Sequence, residues 1–239
     1  MFLALVLTSC SITEVFIVET DQHSFMDETN YVFESDSLTI RYSFWDEDGV
    51  LGFSVYNHMS QPIYIDWKRS SFIQNGEKLD YWQETTVSAS SAVYSNVLRS
   101  GLFGRGVNTG IVVSNGKEMK IERYTFIPPR SKYIRKQFSL NGEERIEVDF
   151  DERMECEVKG RDKRVSLQSR SFSRSDTPLE FRNYIAFTRS EDDDVEFYLD
   201  HRFHVSQAVR VRTKAITRGL ECGSEGSSIG LGNNTFYQD

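Results

Sequence analysis

Long apolar runs are scarce in this chain of 239 residues. Beyond the first ten residues, no stretch approaches the roughly 20 apolar residues that a membrane-spanning helix needs. Helical spacing is equally scarce: only residues 85–98 come near an apolar period of 3.6, and no run carries helix caps. Positive charge is not in excess either. The net charge of -8 and an isoelectric point near 5.2 argue against general nucleic-acid binding, which favours a broadly basic domain. No internal repeat is visible. Cysteine occupies three positions and proline four, so at most one disulfide closes within the chain.

Catalytic signatures are missing as well. No Gly-x-Ser-x-Gly elbow is present, and the glycines at 101, 104, 106 and 110 lack the Gly-Lys-Ser/Thr ending of a phosphate-binding loop, so they read as a loop. Asp46-Glu47-Asp48-Gly49 begins like a calcium loop, but no later acid completes the pattern and a hairpin turn is the simpler reading. Glu191-Asp192-Asp193-Asp194 clusters carboxylates that a calcium ion would suit, but a solvated loop between two strands is the simpler reading. His201 and His204 would share a face only on a helix; on a strand they point to opposite faces, which excludes a joint zinc site. No metal and no cofactor is expected.

What is present is period two. Leu38, Ile40, Tyr42 and Phe44 alternate with polar residues, Asp48-Gly49 supplies a turn, and Leu51, Phe53 and Val55 resume the alternation, so together they predict a β-hairpin. Ile63/Ile65/Trp67, Ile146/Val148/Phe150, Met154/Cys156/Val158 and Leu179/Phe181 with Ile185/Phe187 continue the pattern. In residues 120–127 the phase slips around Arg123, as a bulge would require. The longest run alternates from Val195 to Val205. Many short strands between turn signals predict an all-β antiparallel sandwich with extra strands. Trp67 and Trp45 read as sandwich-core aromatics, Trp45 partly exposed. Tyr81-Trp82, flanked by Asp80 and Glu84, offers an aromatic platform for a sugar ring, with core packing as the plainer alternative. Charge is bipolar: residues 117–136 hold seven bases and two acids, and residues 191–200 hold six acids and no base. Solvated faces account for both, or a surface that pairs with a partner.

The first ten residues resemble the lipobox of bacterial lipoproteins. An apolar run from Phe2 closes on Leu7-Thr8-Ser9-Cys10, a branched apolar residue, two small residues and a cysteine. The basic n-region of a full signal peptide is missing, so residues 1–9 read as a truncated signal peptide, with an ordinary apolar strand as the alternative. The resemblance implies acylation at Cys10, attachment to a membrane through N-terminal lipid, and a cell-envelope location. Cys156 and Cys222 then remain as a pair that forms one disulfide or stays as two buried thiols.

Asn57 to Trp67, Ser70 to Gly76, Ile127-Pro-Pro-Arg-Ser131 and Pro178 to Tyr184 resemble strand-turn-strand elements of uncharacterised Bacteroidota-type lipoproteins. That resemblance implies an immunoglobulin-like sandwich outside the cytoplasm and no activity. The expected organisation is a signal segment at 1–9, a lipidated tether at 10–30, a sandwich at 31–216 and a loosely held Gly/Ser-rich tail at 217–239. The expected function is a structural or binding module with a protein or glycan partner at the envelope. The alternative is a secreted glycan-active enzyme or carbohydrate-binding protein using Tyr81, Trp82 and the acidic loop.

Overall fold

A computed structural model describes residues 12–27, 30–82, 122–142, 145–158, 164–191, 194, 197–213, 220–222, 227–229 and 234–238. Residues 1–11, with Cys10, lie outside the described residues, as do 83–121, which contain the near-helical stretch and the glycine-rich stretch.

Alternating side chains build two antiparallel sheets. One has five strands: β2 (Phe25–Asp27), β3 (Asn30–Glu34), β4 (Leu38–Ser43), β5 (Val50–Asn57) and β9 (Lys132–Ser139), in that order. The larger sheet contains β1 (Ile12–Glu19), β6 (Ile63–Gln74), β7 (Glu77–Asp80), β8 (Tyr124–Ile127), β10 (Glu152–Val158), β11 (Arg164–Ser171), β12 (Glu180–Thr188) and β13 (Phe197–Arg212). The short β14 (Leu220–Cys222), β15 (Ser227–Ile229) and β16 (Thr235–Gln238) complete it. Its main path runs β15-β14-β10-β11-β13-β12-β6-β7, with β1 on β13, β16 on β1 and β8 on β6. The molecule is an all-β antiparallel sandwich.

The hairpin expected at 38–55 forms, with Ile40 opposite Val55 and Tyr42 opposite Phe53. Its turn needs Gly49: φ is +66°, and a Cβ there would stand 2.9 Å from Cγ of Phe236 and 3.0 Å from Cβ of Leu140. β13 is the spine of the larger sheet. β1 lines one edge, from His204 to Arg212, while β12 and then β11 share the other. β6 departs from its register with β12 between Tyr184 and Ala186, where residues 67–70 fall outside the ladder as a bulge. The irregularity therefore falls on β6, while β8 starts only after Arg123, whose carbonyl accepts a hydrogen bond from the Trp67 amide at 2.9 Å.

Two expectations about the chain ends are corrected. Residues 12–19, read as tether, form a strand with Val15, Phe16 and Val18 buried. Val15-Phe16-Ile17-Val18 is a continuous apolar run because both faces of β1 are covered, so it lacks the alternation of a half-buried strand. The tail likewise returns to the body: β16 pairs with β1, and the fully buried Phe236 stacks on Phe16 with ring centroids 5.0 Å apart. Averaging the tail's polar composition hid three short strands, β14, β15 and β16. Residues 145–150 differ too. Ile146, Val148 and Phe150 alternate inward and pack on the main core, but no ladder forms there; the Gln238 side-chain amide pairs with the Ile146 backbone instead, at 2.7 and 3.2 Å.

The main core lies between the sheets and is rich in aromatics, with Tyr42, Phe44, Trp67, Phe72, Phe181, Phe187 and Phe203 among its buried members. A second, smaller core gathers Val15, Val158, Val209, Val211 and Leu220 around Cys156 and Cys222.

Candidate functional site

β7 ends at Asp80, and the chain then turns Tyr81 inward. Tyr81 is 2% exposed, with its ring against Trp67, Phe53 and Phe138. The guanidinium of Arg135 covers this pair from β9, 3.9 Å from the Trp67 ring centroid and 5.1 Å from that of Tyr81. The expected sugar platform is therefore corrected for Tyr81, whose faces are occupied. An aromatic ring that completes a core buries more apolar surface than one left beside a turn. Trp82 is half-buried, and the Lys68 ammonium sits 5.1 Å from its ring centroid.

The Tyr81 hydroxyl begins the most developed polar arrangement of the fold. It donates to Oδ1 of Asn183 at 2.7 Å; Nδ2 of Asn183 donates to the Tyr42 hydroxyl oxygen at 3.0 Å; and Tyr42 lies 2.9 Å from Nδ1 of His201. Asn183 has used the Tyr42 oxygen as acceptor, so the Tyr42 proton is directed at Nδ1 and the imidazole carries its hydrogen on Nε2. Burial pushes the Tyr42 and Tyr81 hydroxyls well above the usual phenol range. It pushes His201 down to about 4, with Asp200 opposing the shift. His201 also stacks on Phe33 at 3.8 Å between centroids. Every group is neutral near pH 7 and each hydroxyl and amide has a partner, so the chain of bonds fixes how the two sheets face each other. Asn183 and Tyr42 were not singled out from sequence. The available signal was an asparagine in phase with Phe181 and Ile185 on one strand.

A second polar cluster surrounds Glu14, 6% exposed on β1. Burial would raise its carboxyl, but hydrogen bonds from Gln238, Arg210 and Arg145 outweigh that and hold it below the usual carboxylate range. Arg210 approaches Oε1 at 2.7 Å, and Gln238 approaches Oε2 at 2.7 Å. Asn141 joins by donating to Oε1 of Gln238 at 3.0 Å, and its own buried Oδ1 has no hydrogen-bond partner among the described residues. Asp66, fully buried at the β6 bulge, binds Arg123 through both carboxylate oxygens, at 2.9 and 3.3 Å. These clusters fasten strands together.

The remaining sequence candidates lie apart. His201 belongs to the main core, while His204 is buried on β13 opposite Glu19 of β1 and Glu180 of β12. Asp194 faces Arg69 at 3.9 Å, and Asp192 and Asp193 lie outside the described residues. Among the described residues, no group of three or more His, Cys, Asp or Glu side chains is placed to hold a metal ion. Asp46, Glu47 and Asp48 form the β4–β5 turn, where β16 reads the backbone: the Asp48 amide donates to the Tyr237 carbonyl at 2.7 Å. Cys156 and Cys222 are directly opposed on β10 and β14 and are disulfide-bonded, with 4.2 Å between Cα atoms. No protein-family model, no curated protein and no solved structure matches this chain.

Proposed function

We propose that this chain is a lipid-anchored, extracytoplasmic sandwich of immunoglobulin-like kind, acting at the cell envelope as a structural or binding module. The observation that carries the reading is the Cys156–Cys222 bond. With Cys10 in the lipobox-like stretch, the three cysteines divide into one acyl acceptor and one bridge, and such a bridge persists in an oxidising compartment. Two filled cores, clamped by buried polar bonds, suit a rigid module that presents its surface. The glycan-directed alternative loses its aromatic platform with the burial of Tyr81.

Expression with an intact export signal in a host that acylates lipoproteins tests both halves. Labelled fatty acid should enter the wild type and not Cys10→Ser, and a thiol-reactive tag should modify Cys156 and Cys222 only after reduction. A soluble, unlabelled wild type, or two thiols that react without reductant, would overturn the reading.

A further inference from the structure

The five-stranded sheet ends on β9, and the ladder with β5 fixes which way each β9 residue turns its backbone. The Asn57 amide donates to the Ser131 carbonyl at 3.0 Å, so the β9-side residues that exchange hydrogen bonds with β5 are Ser131, Tyr133 and Arg135. Lys132, Ile134 and Lys136 then turn their amides and carbonyls to the outer edge, where no strand lies among the described residues. All three side chains are exposed, Ile134 by 53%. Neither lysine has an ion-pair partner among the described residues. The basic run at 117–136 thus ends on an open strand edge.

Residues 145–151 carry an edge of the opposite charge. Ile146, Val148 and Phe150 pack on the main core, and Glu147, Asp149 and Asp151 alternate with them on the exposed side. Gln238 takes both the amide and the carbonyl of Ile146. Carried along an alternating segment, that parity turns the backbone of Glu147, Asp149 and Asp151 to the other edge. Residues 147–150 make no backbone–backbone hydrogen bond among the described residues, and neither Glu147 nor Asp149 has an ion-pair partner there; Asp151 pairs with Arg170.

A second β9 does not suit the β9 edge, because symmetric pairing about Ile134 sets Lys132 against Lys136. The acidic segment does suit it. Run antiparallel with Ile134 opposite Asp149, it sets Lys136 opposite Glu147 and Lys132 opposite Asp151. Each of these residues then turns its backbone to its partner and its side chain to solvent. We propose that β9 of one copy of this chain adds to residues 147–151 of a second copy, joined by strand pairing and by opposite charges. Each copy keeps one unused edge of each kind, so the contact is head to tail and the assembly lengthens with concentration.

The test uses the full chain carrying Cys10→Ser, in a nonionic detergent that keeps the apolar first ten residues of different copies apart. Sedimentation velocity should show association that grows with protein concentration and fades at high salt. Lys132→Glu/Lys136→Glu and Glu147→Lys/Asp149→Lys each set like charges across the contact and should weaken association about tenfold or more. Mixed in equal amounts, the two variants present opposite charges again and should recover it. A wild type that stays monomeric, variants that associate unchanged, or a mixture that recovers nothing overturns the pairing. Where a charge variant does not fold, single cysteines at exposed positions replace it. Under mild oxidation, an Ile134→Cys protein mixed with an Asp149→Cys protein should form a cross-linked dimer faster than either does alone, and equal rates overturn the pairing.

Discussion

The two cores share strands β1 and β13 yet are held by different means. Phe16, Val18, Val205 and Ala208 face the main core, and Val15, Val209 and Val211 face the second one. On the first side Phe203 meets Tyr42, Phe44 and Phe181 with ring centroids 4.9, 5.1 and 5.3 Å apart, so large rings bury large areas. On the second side the residues are mainly valines, and a disulfide spanning a sequence separation of 66 supplements them. A small apolar cluster buries too little surface to secure three-residue strands such as β14, and a cross-link compensates by restricting the unfolded chain.

The largest expected effect tests the aromatic side. Phe203→Ala removes the ring around which the sheets meet and should cost about 3–5 kcal/mol in a denaturant melt. A cost near that of an exposed substitution would mean that the sheets are not held through this cluster. The second test is Cys156→Ala/Cys222→Ala, with an expected loss of about 2–4 kcal/mol. Amide exchange should accelerate in β10 and β14 before it does in β4 and β5. Uniform acceleration would show that the two cores unfold as one and would erase the contrast.

Acid sharpens the comparison because His201 lies only on the aromatic side. The folded imidazole stays neutral down to about pH 4, while in the unfolded chain it takes up a proton near 6.5. The unfolded state therefore binds more protons between these values. The stabilisation is complete above about 6.5 and drains as pH falls toward 4, by about 3 kcal/mol in all. His201→Gln keeps an acceptor for Tyr42 and should flatten the pH dependence of stability in that window. An unchanged slope would mean that His201 protonates in the folded state without penalty.

Legibility in the sequence followed how much each strand's surroundings resembled a simple half-buried sheet. The hairpin at 38–55 and the alternation of β12 were readable because one face meets the core and the other meets water. β1 and β16 were not, since cover on both faces removes alternation and four residues do not lift the average of a polar tail. The buried bonds of Tyr81, Asn183, Tyr42 and His201 join positions up to 159 residues apart, and no local pattern encodes such a meeting. Cysteine arithmetic named the pair Cys156 and Cys222 but not their opposition, which depends on β14 returning to β10.

The smallest expected effect concerns where β13 is left open. Its second half lies between β1 and β11, but β1 ends at Glu19 opposite His204, so the stretch before it has β12 on one edge only. Gln22 occupies the other edge with its side chain: Nε2 donates to the Asp200 carbonyl at 2.9 Å and Oε1 accepts from the Arg202 amide at 2.7 Å. One amide thus reproduces the bond pair of a neighbouring strand and blunts an edge open to another chain. Gln22→Ala returns both groups to water and should cost about 1 kcal/mol, with faster exchange at the Arg202 amide. Gln22→Glu separates bonding from bulk: its carboxylate still accepts from Arg202 but presents a second acceptor to the Asp200 carbonyl near the Asp200 side chain, so it should be no more stable than Gln22→Ala despite filling the same space. If Gln22→Glu matches the wild type, the edge is held by packing and not by the paired amide.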